Sequence, residues 1–106
     1  MERKQLKVSE RKVANSLKIA VTKAGGMILK VHPLTNSGLP DYLVHIGGVT
    51  FYVETKTTGE KCTKLQLACH KRLYKMGVHT YVLDRVITDI RELFIYGQTA
   101  LTRLSV

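Results

Sequence analysis

A chain of 106 residues, 44% hydrophobic and 24% charged, has the composition of one ordinary globular domain with a modest core, and it shows no internal repeat or low-complexity stretch. No apolar run approaches the roughly 20 residues of a membrane-spanning helix, and the basic N-terminus leads into no signal-like apolar stretch. A single domain over residues 1–106, cytoplasmic and not attached to a membrane, is therefore expected.

The net charge of +9 is unevenly placed. Residues 1–24 hold five Lys and two Arg against two Glu, and residues 56–75 hold five Lys and one Arg against one Glu, a net +5 in each segment. The acids Asp41 and Glu54 lie between them. Such segments suit a polyanion, and nucleic acid is the usual one inside a cell; a ribosomal or membrane-surface protein has the same charge character. Cys62 and Cys69, seven apart, fit neither a zinc knuckle nor a redox pair and read as reduced structural thiols. His32, His45, His70 and His79 show no ligand spacing and read as surface, core-edge or phosphate-contacting residues.

In chain order, Ser9 is a plausible N-cap for a helix to about Ala24, although its start could lie nearer Met1. Val13, Leu17, Ala20, Val21 and Ala24 form an apolar stripe at helical spacing. Glu10 shares that inward face, where an acid needs a partner; the alternative is an exposed first-turn Glu favoured by the helix dipole. Gly25-Gly26 ends the helix. Met27 to Val31 reads as a strand, and His32 to Pro40 as a loop.

Two alternating apolar runs then flank Gly47-Gly48, the signature of a two-residue hairpin turn. In that register opposed residue numbers sum to 95, so Val44 faces Phe51 and Asp41 faces Glu54. Tyr42, Val44, Ile46, Val49, Phe51 and Val53 share the other face and read as core. Lys56 shares a face with Glu54. Two opposed carboxylates about 5 Å apart repel by about 3 kcal/mol at an effective dielectric near 20, more than the 0.2–1 kcal/mol or so that a good cross-strand pair returns. A shared proton or a divalent cation resolves the conflict, and local rules break most often at functional sites. A slipped register with solvated acids is the plainer alternative.

After a loop at Thr57–Lys61, Thr63 and Gln66 have capping-box spacing. The helix they open runs to about Met76, with Leu65, Cys69, Leu73 and Met76 on one face and Gly77 at its end. Val78 to Leu83 is a strand. Thr88 is a candidate cap for a short helix from Asp89 to Tyr96, stopped by Gly97. The tail from Gln98 to Val106 is ambiguous. The order is α-β-β-β-α-β-α, an α/β fold with a right-handed crossover through the middle helix.

Glu10 on a first helix, then Ser37-Gly38-Leu39-Pro40-Asp41, then Glu54-Thr55-Lys56, then Gln66 on the next helix resemble the PD-(D/E)XK nuclease superfamily, and within it the VRR-Nuc (virus-type replication-repair nuclease) family. The resemblance spans residues 9–84 and leaves the last helix and tail outside. It implies a restriction-endonuclease-like core, with Asp41, Glu54 and the Thr55 carbonyl as metal ligands joined by Glu10 as the first-helix acid. Lys56 becomes the motif lysine and Gln66 the helical glutamine of the catalytic set. The implied activity is Mg²⁺-dependent DNA endonuclease cleavage, with Mn²⁺ able to substitute. The implied substrate is a four-way junction, cut by a homodimer of phage or bacterial origin. Lys61, Lys64, Lys71, Arg72 and Lys75 are then the phosphate-gripping residues. A nuclease-like fold that binds without cleaving, or a nuclease for other DNA ends or flaps, is the alternative.

Overall fold

A computed structural model describes residues 7–32 and 37–99. Three strands, β1 (Met27–Lys30), β2 (Tyr42–Ile46) and β3 (Val49–Thr55), form an antiparallel meander. A fourth, β4 (Thr80–Leu83), lies parallel to β3 at the end of the sheet. A parallel neighbour needs a crossover, and α2 (Lys64–Lys75) supplies it. The other helices are α1 (Glu10–Lys23) and α3 (Ile90–Tyr96).

The Gly47-Gly48 turn sets the register. Both glycines have positive φ, 55° and 77°, as a type I′ turn requires. Val44 pairs with Phe51 and Tyr42 with Val53, as the alternation predicts. Val31 N–H donates to the Asp41 carbonyl at 2.8 Å, which carries the β1–β2 ladder down to Asp41 and fixes its backbone opposite the end of β3.

Helices cover both faces of the sheet, by different means. On one face Val13, Leu17 and Val21 of α1 bury against Val44, Phe51 and Val53. Leu93 of α3 closes the same core, and Phe51 stacks edge-on with Tyr81 and Phe94. Val49, expected in the core, is 58% exposed beside the hairpin turn. On the other face α2 meets polar groups. Its fully buried side chain is His70, while Leu65 and Met76 are exposed. The inward face of α2 is therefore Gln66, Cys69, His70 and Leu73, turned from the expected stripe of Leu65, Cys69, Leu73 and Met76. The reason is the sheet beneath, which offers Glu54, Lys56 and Thr80 rather than an apolar surface.

The caps follow the sequence closely. Ser9 caps α1, and Thr63 with Gln66 forms a complete capping box on α2. The cap of α3 is Asp89, not Thr88. Glu92 stands three residues after Asp89 and closes a box with it, and the Thr88 hydroxyl instead donates to the Glu92 carboxylate at 2.7 Å. No disulfide joins Cys62 and Cys69. Of the ambiguous tail, Gln98 bridges to Val82; residues 100–106, and 33–36 of the long loop, lie outside the described residues. No helix among the described residues is long and apolar enough to cross a membrane.

Candidate active site

The carboxylates meet where the ends of β2 and β3 pass between α1 and α2. Three local features bring them there. Gly38 adopts φ +77° and runs so close to α2 that a Cβ on it would lie 2.5 Å from the Leu65 carbonyl oxygen. Only glycine lets the loop pass there. Pro40 is fully buried and delivers the chain to Asp41. Val8 and Thr58 bond each other, Val8 N–H to the Thr58 hydroxyl at 2.9 Å and Thr58 N–H to the Val8 carbonyl at 3.0 Å. That clamp sets the start of α1, and so Glu10, beside the segment leaving Lys56.

Asp41 is held by Thr55. Its Oδ2 accepts the Thr55 N–H at 2.9 Å and the Thr55 hydroxyl at 3.1 Å. The same hydroxyl lies 3.4 Å from Oε1 of Glu10. Glu10 is exposed, so its carboxylate reaches the site from the rim rather than from the core. The Lys56 N–H donates to the Leu83 carbonyl of β4, and the Tyr52 N–H to the carbonyl of His79 just before it. Strand alternation then turns the peptide groups of Thr55 away from β4, toward Asp41.

Glu54 and Lys56 are buried, at 2% and 7% exposure, and Gln66 joins them. The Gln66 amide nitrogen donates to Glu54 Oε2 at 3.3 Å. Its oxygen accepts both Lys56 Nζ and the Thr63 N–H, each at 2.9 Å. Two donors converging on one oxygen fix the amide orientation. Gln66 therefore caps α2 and bridges the acid to the lysine with the same side chain.

His70 is the residue that sequence spacing missed. Its spacing reads as that of a surface, core-edge or phosphate-contacting histidine, yet it is fully buried, with Nε2 3.7 Å from Glu54 Oε1. No phosphate can reach it. The usable signal was its position four residues after Gln66, one helical turn along the same face. The expected phosphate-gripping residues are all exposed. Lys64, Lys71 and Lys75 stand on the outward face of α2, opposite Gln66 and His70, with Arg72 at its flank and Lys61 in the preceding loop.

Electrostatics mark Glu54 as the anomalous group. Burial first, then a carboxyl–carboxyl hydrogen bond and repulsion with Asp41, push it from 4.5 up to about 9. Burial, and then Asp41 and Glu60, also raise Glu10. The donor set fits a hard divalent cation. Glu54 Oε1 is buried with no hydrogen-bond partner, two acids converge, and a backbone carbonyl is close at hand. Among the described residues no group of three His, Cys, Asp or Glu forms a protein-only cage.

Gln66→Ala is expected to slow turnover at this site by about 10–100-fold, the scale of losing a group that orients a functional carboxylate. It should also lower the melting temperature through the lost cap. Gln66→Glu keeps an oxygen for the cap but sets an acid against Glu54, so cleavage should fall while the cap survives. Single-turnover cleavage and thermal melts of both variants check this. Wild-type cleavage in Gln66→Ala would reduce Gln66 to a cap.

A mixed sheet in this order, with an acid at the start of β2 and Glu-x-Lys at the end of β3, defines a nuclease of the restriction-endonuclease-like PD-(D/E)XK class. No family model matches the chain. "Putative nuclease p44" of Acyrthosiphon pisum secondary endosymbiont phage 1 is 37% identical over 78 residues, which is 73% of this chain and 84% of that protein. A solved structure described as a VRR_NUC domain matches with a TM-score of 0.69 and 26% identity, over 83% of this chain and 94% of its own. The chain belongs to the VRR-Nuc family of nucleases.

Proposed function

We propose that this nuclease is a Mg²⁺-dependent DNA endonuclease selective for branched structure, with four-way junctions as its preferred substrate, acting as a homodimer in the cytoplasm of a bacterial or phage-infected cell. The observation that carries the reading is the convergence of Asp41 and Glu54 next to a buried lysine. Such an arrangement is costly for folding alone and suited to a cation and a phosphate.

Asp41, Glu54 and the Thr55 carbonyl would hold the ion, with Glu10 at the rim. When bound, Mg²⁺ supplies Lewis acidity toward the phosphoryl oxygen and activates water. Mn²⁺ should substitute. Lys56, held by Gln66, faces the reacting phosphate, offsets developing negative charge and positions the attacking water. Lys61, Lys64, Lys71, Arg72 and Lys75 add a diffuse attraction for the DNA backbone without reading sequence.

The homodimer follows from the substrate. A four-way junction is resolved by paired nicks related by a two-fold axis, and a symmetric dimer supplies two such sites. A dimer contact would draw on the apolar residues after β4, Ile90, Leu93, Phe94, Leu101 and Leu104; Leu93 is fully buried and Ile90 packs on the core, so both serve the protomer itself. Leu101 and Leu104 lie outside the described residues. Phe94, with Ile95 and Tyr96, remains exposed.

The test is incubation with four-way junctions, flaps and linear duplex, with Mg²⁺, Mn²⁺ or EDTA. Paired nicks near the branch, metal-dependent and absent from linear duplex, are expected. Light scattering should give about twice the chain mass. A monomer that trims ends or cuts flaps would replace the junction reading, and binding without cleavage in either metal would overturn the enzymatic one.

A further inference from the structure

A cleft of about 310 Å³ opens from the site along α1, away from α2. Glu10 and Thr55 stand at its active-site end. Arg11, Asn15 and Lys18 line it from α1, Lys30 from β1, and the largely buried Tyr42 lies beneath. Lys18 Nζ and Lys30 Nζ both sit over the Tyr42 ring, at 5.4 and 4.8 Å from its centroid. Among the described residues no carboxylate pairs with Arg11, Lys18 or Lys30.

The ring holds the two ammonium groups by cation–π attraction, but it also brings like charges toward each other. An anion in the cleft resolves that repulsion. From Arg11 to Lys18 is two turns of helix, about 10 Å, the axial length of about three nucleotides of one strand. The volume is at the small end of ligand clefts and suits a single sugar–phosphate path rather than a duplex. Its mouth at Thr55 is where Asp41 is anchored.

We propose that this cleft receives the backbone of the cleaved DNA strand beside the scissile bond, with Arg11, Lys18 and Lys30 on its phosphates. The proposal rests on the nuclease reading above and names where its substrate lies. It gives the basic N-terminal segment a defined role and makes the outward lysines of α2 secondary.

The experiment measures binding of a fluorescein-labelled junction and a linear duplex in EDTA across a salt series. Arg11→Gln, Lys18→Gln and Lys30→Gln together remove three charges, and the glutamines at 18 and 30 keep apolar stems over Tyr42. This variant should bind about tenfold or more weaker and lose about two to three units of salt slope. Lys64→Gln, Lys71→Gln and Lys75→Gln together remove the same charge and should cost less. Methylphosphonates placed at successive phosphates on either side of the cut should weaken the wild type within three nucleotides on one side. They should leave the cleft variant indifferent at those positions. Equal losses in the two triple variants, or methylphosphonate effects that persist in the cleft variant, would overturn the proposal. Unchanged binding by the cleft variant, with wild-type cleavage intact, would overturn it and leave the nuclease reading standing. Cleft-dependent binding by a wild type that never cleaves would support the cleft and overturn the nuclease.

Discussion

Asp41→Asn and Glu54→Gln should each reduce cleavage by at least about a hundredfold, the scale of losing a central electrostatic group in an active site, while DNA binding is kept or strengthened. The geometry makes these variants clean. The substituted amide at position 41 retains an oxygen for the Thr55 N–H and hydroxyl. At position 54 the oxygen must stay toward the Gln66 amide nitrogen, which directs the new NH₂ toward His70 and Asp41. Asp41→Asn removes a carboxylate that repels phosphate, so its binding curve in EDTA should shift toward tighter association; Glu54 keeps its proton without metal, so Glu54→Gln loses no charge there and should bind as the wild type does. Single-turnover cleavage beside an EDTA binding titration separates the two effects. Near-normal cleavage by either variant would remove that carboxylate from the chemistry.

What could be read from the sequence, and what could not, follows from where apolar patterning is informative. The hairpin was legible because Gly47-Gly48 fixes the turn, the turn fixes the register, and the register opposes Asp41 to Glu54. The core under α1 was legible because its stripe packs on apolar residues of β2 and β3. The inner face of α2 was not. Apolar periodicity assumes an apolar floor, and this floor is Glu54, Lys56 and Thr80. That assumption draws Leu65 and Met76 inward and leaves out His70, the reverse of their burial. The α3 cap was decidable in principle, since Glu92 has box spacing from Asp89 and not from Thr88. Gln66 presented itself as either a cap or a site residue. The fold makes these one role, because the first turn of α2 sits directly over the acids.

The polar docking of α2 ties folding to the state of the site, and this gives the second large effect. Without metal, Glu54 holds its proton up to about pH 9 in the folded chain, against 4.5 as its ordinary value, with burial as the leading cause. Below pH 4.5 both folded and unfolded chains carry the proton, and the stabilisation is complete. As pH rises from 4.5 the unfolded chain gives up its proton while the folded chain does not, so stability falls throughout the interval to about 9 and then levels. In EDTA the melting temperature of the wild type should therefore drop between pH 5 and 9, by at least about 5 °C for a domain of this size. Glu54→Gln has no proton to lose and should hold a flatter melting temperature that exceeds the wild type's at pH 9. Added Mg²⁺ or Mn²⁺ favours the deprotonated acids and binds only the folded site. It should raise the wild type most at the alkaline end and leave Glu54→Gln little changed. Thermal melts from pH 5 to 9, with and without metal, check all three statements. A wild-type melting temperature that is level in EDTA across that range would mean that Glu54 ionises freely in the folded protein, and a metal response equal in Glu54→Gln would place the ion elsewhere.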